Sequence, residues 1–173
     1  SQSLSSSERK QYELRALLQS CVSTGAVTAK KDCAAAICGR MDLGLAEGCE
    51  AYGSVESQSG DYVGGVAGIC SAAIEKCYAK CELSGGRYLG GIVGSGYCVD
   101  TSAPNGMKIT VENCTSTGVI TGDTNVGGIL GGEVCVAQSW DNVKYSFKNN
   151  TFTGKVAGNK NVGAIIGYYK SLN

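Results

Sequence analysis

The sequence predicts an all-β fold: a short parallel β-helix, or β-solenoid, of about five coils with one N-terminal capping helix. An internal repeat, an alternation of apolar and polar positions within each repeat, and 26 Gly against one Pro in 173 residues carry that prediction. Units begin at residues 21, 49, 77, 114 and 150, spaced by 28, 28, 37 and 36 residues, a period suited to one solenoid coil. The best-defined unit is Cys114 to Gly131, CTSTGVITGDTNVGGILG. Its relatives are Cys21 to Cys38, CVSTGAVTAKKDCAAAIC; Cys49 to Gly68, CEAYGSVESQSGDYVGGVAG; Cys77 to Gly94, CYAKCELSGGRYLGGIVG; and Asn150 to Gly167, NTFTGKVAGNKNVGAIIG.

Two regions follow, a cap over 1–20 and repeats over 21–173. In the cap, Ser5-Ser-Ser-Glu8 reads as a capping box, and Leu14, Leu17, Leu18 and Cys21 keep helical spacing. This predicts a short amphipathic helix over 6–19 that lids the open first coil. Within each unit the odd positions are small or apolar and the even ones polar or mixed, which is strand alternation. The inward columns are Cys21/Cys49/Cys77/Cys114, Ser23/Ala51/Ala79/Ser116/Phe152, a glycine column broken by Cys81, and Val27/Val55/Leu83/Ile120/Val156. Glu50, Tyr52, Tyr78, Lys80, Thr115, Thr117, Thr151 and Thr153 point outward.

A turn such as Gly122-Asp123-Thr124-Asn125 leads to a second block of the form Val-Gly-Gly-Ile-Leu-Gly. Its paired glycines suit a tight bend or a close backbone approach. The longer units have room for a third strand at Lys108–Glu112 and Val143–Phe147. Stacked in register at the strand spacing of about 4.8 Å, five coils make a body roughly 24 Å long. An antiparallel sandwich with glycine-rich turns would not explain recurring identical columns. The far end shows no comparable cap, so either further protein follows or that end meets a neighbour, and a start at Ser1 fits a processed product or a piece of a longer protein.

Lys+Arg and Asp+Glu number 15 each, so no net field draws nucleic acid or an anionic membrane. The chain has no His, which removes imidazole ligands and the Ser-His and Cys-His nucleophile pairs. No apolar run reaches membrane-spanning length, and no phosphate-loop motif occurs.

The pattern of NCTSTGVITG before NVGGILGG, with CYAKCELSGGRYLGGIVG beside it, resembles the GLUG-motif repeats of bacterial surface and secreted proteins, including flanking regions of immunoglobulin-A-cleaving metallopeptidases. The resemblance spans about residues 21 to 167. It implies a β-solenoid on the cell exterior with structural or adhesive duty and no reaction of its own. The peptidases' zinc motif has no counterpart here, so no catalytic residue carries over. Cys33, Cys38 and Cys81 stand where the pattern has Val or Gly, and Cys70, Cys98 and Cys135 are additional.

Ten Cys without His read as disulfides in an oxidising compartment, with buried free thiols as the alternative. A zinc site from Cys77, Cys81, Cys33 and Cys38 has weak spacing. Equivalent residues in adjacent coils lie within disulfide range of Cα separation. The candidate pairs are Cys21 with Cys49, Cys77 with Cys114, Cys98 with Cys135, Cys38 with Cys70, and Cys33 with Cys81, since Cys70, Cys98 and Cys135 lie near a second column. Asn113 and Asn149 head N-x-T sequons, glycan acceptors if the source is a eukaryote using its secretory path.

The expected function is a non-enzymatic extracellular or cell-surface module: a rigid, disulfide-stabilised spacer, or a subunit of a larger appendage or filament, acting through solenoid-end contacts. Its partners would be copies of itself or neighbouring structural subunits, with no cofactor, metal or nucleic acid. The alternative is an adhesin whose outward Tyr52, Tyr62, Tyr78, Tyr88 and Tyr97, with Thr residues, bind a glycan or host surface. Catalysis would need clustered carboxylates, and Asp32, Asp42, Asp61, Asp100, Asp123 and Asp141 fall at turns without a shared column. A flat threonine rank for ice begins at Thr115/Thr117 and Thr151/Thr153 but is interrupted by Glu50, Tyr52, Tyr78 and Lys80.

Overall fold

A computed structural model describes residues 5–7, 16–98, 107–135 and 143–169. The chain winds through five coils of a parallel β-solenoid. Coil 1 holds β1 (Leu17–Gln19), β2 (Val22–Ser23), β3 (Ala26–Ala29), β4 (Ala34–Ala35) and β5 (Cys38–Met41). Coil 2 holds β6 (Leu45–Glu47), β7 (Glu50–Ser57), β8 (Val63–Gly64) and β9 (Ala67–Cys70). Coil 3 holds β10 (Ala73–Glu75), β11 (Tyr78–Ser84), β12 (Arg87–Gly90) and β13 (Val93–Cys98). Coil 4 holds β14 (Met107–Glu112), β15 (Thr115–Ser116), β16 (Val119–Thr121), β17 (Thr124–Gly127) and β18 (Leu130–Cys135). Coil 5 holds β19 (Val143–Lys148), β20 (Thr151–Phe152), β21 (Lys155–Ala157), β22 (Lys160–Gly163) and β23 (Ile166–Tyr168).

Four sheets result, and every coil contributes to each. Sheet A runs β1-β6-β10-β14-β19. Sheet B joins β2 and β3 to β7, β11, β15, β16, β20 and β21. Sheet C runs β4-β8-β12-β17-β22, and sheet D β5-β9-β13-β18-β23.

The expected columns are in register. Val27, Val55, Leu83, Ile120 and Val156 are Cα partners from coil to coil, as are Ser23, Ala51, Ala79, Ser116 and Phe152. Val55, Leu83 and Ile120 are buried in one core with Ala46, Ile74, Val111, Leu89 and Val126. Stacking is what buries them, because one coil alone has nothing to close its apolar cross-section.

Two kinds of corner bend the coil. At the A-to-B corner the chain enters the left-handed region at Ser20, Lys76, Asn113 and Asn149, with Gly48 in the same place. A second left-handed column opens sheet C at Cys33, Tyr62, Tyr88, Asn125 and Asn161. Asn tolerates that region and can link rungs through its amide. Asn161 Nδ2 donates to Asn125 Oδ1 at 2.7 Å and Asn149 Nδ2 to Asn113 Oδ1 at 3.2 Å.

The C-to-D corner uses the paired glycines differently. A Cβ at Gly64, Gly90, Gly127 or Gly163 would collide with the carbonyl oxygen of Ala67, Val93, Leu130 or Ile166, three residues on. A Cβ at Gly94 or Gly131 would press into the backbone of Val63 or Leu89 one coil below. Sheets C and D therefore meet backbone to backbone.

Two expectations need correction. The predicted helix falls largely on 8–15, outside the described residues, but its C-terminal part is strand β1. Leu17, Leu18 and Gln19 pair with Leu45, Ala46 and Glu47, so the first coil opens at Leu17, ahead of Cys21. Stacking over Ala46 gives Leu18 an apolar place that helical spacing did not reveal. The third strand is also general rather than confined to the long units. It forms β1, β6 and β10 as well as β14 (Met107–Glu112) and β19 (Val143–Lys148), where it was expected at Lys108–Glu112 and Val143–Phe147.

Candidate functional site

The outer face of sheet B collects the side chains read as outward. Glu50, Lys80, Thr151 and Thr153 are exposed, and Tyr52, Tyr78, Thr115 and Thr117 half-exposed. Register sets Tyr78 beside Glu50 and Thr115, and Lys80 beside Tyr52. The Tyr52 hydroxyl donates to Glu50 at 2.6 Å, the Tyr78 hydroxyl bonds Thr117 Oγ1 at 2.9 Å, and the two rings lie 5.8 Å apart, tilted by 49°. The hydrogen bond to Glu50 holds the Tyr52 phenol above its ordinary range.

A groove of about 410 Å³ runs along this face, floored by Gly53, Cys81 and Gly118. Lys80 and Thr117 form one bank, and Ser54, Glu82 and Val119 the other. The floor is the glycine column. A Cβ at Gly53, Gly118 or Gly154 would collide with the carbonyl oxygen of Gly25, Cys81 or Gly118, its column mate one coil down, whereas at Gly25 a Cβ meets nothing within 4 Å.

The five tyrosines do not share this face. Tyr62 and Tyr88 stack with centroids 5.3 Å apart at the start of sheet C, beside the Arg87–Asp61 ion pair at 2.7 Å. Burial, with the Tyr88 ring adding to it, raises the Tyr62 phenol. Tyr97 lies on β13 in sheet D, the Cα partner of Val134. Alternation places a tyrosine on a strand face but does not say which side of a four-sided coil that strand occupies.

Cys21, Cys33, Cys38, Cys49, Cys70, Cys77, Cys81 and Cys114 are free thiols. Cys21, Cys49, Cys77 and Cys114 stack at the A-to-B corner as expected, and Asn150 continues the column by accepting from the Cys114 amide at 3.0 Å. Each buried thiol of this column has two carbonyls within reach of its single S–H, one in its own coil and one in the coil below. Cys49 reaches Leu18 and Glu47, Cys77 reaches Ala46 and Glu75, and Cys114 reaches Ile74 and Glu112, over 3.3 to 3.8 Å. A hydrogen bond with the Cys114 thiol, reinforced by burial, pushes the Cys77 thiol up, and burial pushes Cys49 to about 11.

Register settles the other proposed partners. Cys98 and Cys135 are Cα partners. Cys38, however, pairs with Ala67, and Cys70 pairs with Met41 and Gly96, so Cys38 and Cys70 are out of step and Cys70 does not head the Cys98/Cys135 column. Cys33 sits in coil 1, its amide bonded to Asp61, while Cys81 sits in coil 3 opposite Gly53. That separates Cys33 from Cys81 by a whole coil and takes apart the tentative zinc set. Among the described residues no group of His, Cys, Asp and Glu is placed to hold a metal ion. The sequon residues Asn113 and Asn149 occupy one column, joined through their amides.

Two carboxylate columns went unseen. Gln19, Glu47, Glu75, Glu112 and Lys148 are in register on sheet A. Glu75 and Glu112 are buried, Ser146 donates to Glu112, and Lys76 pairs with Glu47 at 3.1 Å. Asp32 and Asp61 do share a column, since the Asp61 amide donates to Asp32 Oδ1 at 2.7 Å. The signal for the first lay in the letters: Glu stands two residues before Cys in Glu47-Gly-Cys49, Glu75-Lys-Cys77 and Glu112-Asn-Cys114.

The ends of the stack are a further surface. Leu18, Cys21, Ser23 and Val27 in coil 1, and Phe147, Phe152, Val156 and Ile166 in coil 5, are only half-buried, although their column mates in coils 2 to 4 are fully covered. Leu17 at one end, and Val162 and Ile165 at the other, are outright exposed. No protein family, curated protein or solved structure matches this chain.

Proposed function

We propose that the chain is a non-enzymatic structural module of the cell exterior, a rigid spacer or appendage subunit that works through the two ends of its coil stack. One observation carries this: columns closed in coils 2 to 4 stand open in coils 1 and 5, and among the described residues every sheet ends there in an unpaired edge strand. Parallel edges on an apolar cross-section invite another strand unless something blocks them. The resemblance to GLUG-motif repeats supports an exterior address, and the in-register backbone positions of Cys98 and Cys135 suit a bridge in an oxidising compartment. Labelling intact source cells with an antibody to the folded chain tests the reading. Surface label lost on protease shaving is expected, and label only after permeabilisation contradicts it.

The second reading, a glycan-binding face, is favoured by the groove on sheet B, with its hydroxyl-bearing and charged banks and the Tyr52–Tyr78 pair near its rim. Glycan-array binding that Tyr78→Ala and Lys80→Ala weaken would support it.

A further inference from the structure

The open ends of one molecule differ from each other and match across copies. We infer that the partner at each end is a second copy of this chain, coil 5 of one molecule seating on coil 1 of the next as parallel strands, head to tail. This rests on the structural reading above and names the partner that reading leaves open.

Only another coil of the same outline offers four strands at the spacing and direction of the four edges β19, β20/β21, β22 and β23. Coil 1 has that outline, because it already seats on coil 2 through the same columns. Continuing the columns across the seam sets Phe147 against Leu18, Phe152 against Ser23, and Val156 against Val27. Bulk on the coil 5 side thus meets a small residue at Ser23 and apolar partners elsewhere. Asp32 heads the column that ends in Lys160, so opposite charges adjoin at the seam.

Two backbone columns show that the seam has room. In the glycine column of sheet B each Cβ would strike the coil below, and Gly25, the bottom member, has open space there. At the C-to-D corner a Cβ at Gly65, Gly91 or Gly128 would strike the carbonyl one coil up, at Gly91, Gly128 or Ala164, and the top member, Ala164, is exposed. The coil 1 to coil 2 step already accommodates an alanine in this column at Ala36, whose amide bonds Gly65 at 3.2 Å. Ala164 under Ala36 repeats that step. Because the two faces are different, the contact is heterologous and does not close on itself, so the product is an open filament.

Gly25→Arg places a long side chain below coil 1, and Ala164→Arg places one above coil 5. Both positions are exposed, so both variants should keep the circular-dichroism spectrum and melting temperature of the dilute wild type. Sedimentation of the full 173-residue chain should show a weight-average mass that climbs with concentration past the dimer, while each variant alone stays at 17.7 kDa. An equimolar mixture of the two should reach twice the monomer mass and stop, since one good end of each remains. A wild type that stays monomeric, a wild type that halts at a closed dimer, variants that still polymerise, or a mixture that fails to pair would each overturn head-to-tail stacking. Surface labelling of cells is independent of all four outcomes, so the exterior-module reading stands or falls separately.

Discussion

The middle coils and the terminal coils are built from the same columns and behave differently. Val55, Leu83 and Ile120 are at most 3% exposed, whereas Val27 and Val156, their column mates at the ends, are half-exposed. Gly118 has a carbonyl oxygen against it where a side chain would go, and Gly25 in the same column has open space. A residue's environment is therefore set by its storey in the stack as much as by its place in the repeat. Substitutions should be costly in the middle and cheap at the ends, and the ends are where a partner has something to gain.

The largest contrast should come from glycines. Gly127→Val drives a branched side chain into the Leu130 carbonyl and, at 2.7 Å, the Gly167 amide of the next coil. It should cost more than about 4 kcal/mol or abolish folding, while Gly25→Ala shifts the urea midpoint of the dilute monomer negligibly. Equal losses at the two sites would remove the distinction between middle and end. Next comes the apolar column, where Ile120→Ala should cost about 2–5 kcal/mol by opening a closed cavity. Val156→Ala at the open end should cost roughly 1 kcal/mol in the monomer, and denaturant melts of both variants measure the ratio.

The strand columns were legible because their letters repeat: Val, Val, Leu, Ile, Val at one offset, and glycine pairs at another. The A-sheet strands of the short coils were not, since Leu45-Ala-Glu47 and Ala73-Ile-Glu75 are short, carry no glycine landmark and share few letters with Thr110-Val-Glu112. The C-terminal part of the predicted helix turned out to be strand for a related reason, because Leu17 and Leu18 fit a helical stripe and an edge strand equally well until a stacking partner is known. For the cysteines, counting from the glycine that opens each D strand was decisive. Cys98 and Cys135 fall at the same distance from Gly94 and Gly131, whereas Cys70 lies closer to Gly68. Which side of the coil holds each tyrosine depended on the corners, and the left-handed positions that make them include Cys33, Tyr62, Tyr88 and Lys76, residue types that do not announce that conformation.

A smaller effect should follow from alkaline pH and should again fall on the covered storeys. Burial raises Cys49 and Cys81 to about 11 and Cys70 to about 12. Below about pH 8.5 these thiols are protonated in both the folded and the unfolded chain. Above it the unfolded chain releases protons that the folded one keeps, so stability falls as pH rises toward 11 to 12. Unfolding midpoints measured from neutral to alkaline pH should decline over that window and be restored in part by Cys49→Ala with Cys81→Ala. A flat profile would mean these thiols are not held away from water in the covered coils. Smallest of all, Lys76→Ala should cost about 1 kcal/mol or less, since the Lys76 ammonium reaches Glu47 from a side chain that is itself 60% exposed and screened by solvent.

Residue-resolved hydrogen exchange on dilute and concentrated protein tests the difference between middle and end most directly. Slow exchange in coils 2 to 4 at both concentrations is expected, with protection appearing on concentration in alternate amides of β1–β5 and β19–β23. Edge amides that exchange equally fast at both concentrations, or a gain confined to the outer face of sheet B, would contradict the assignment of the open ends as the working surface.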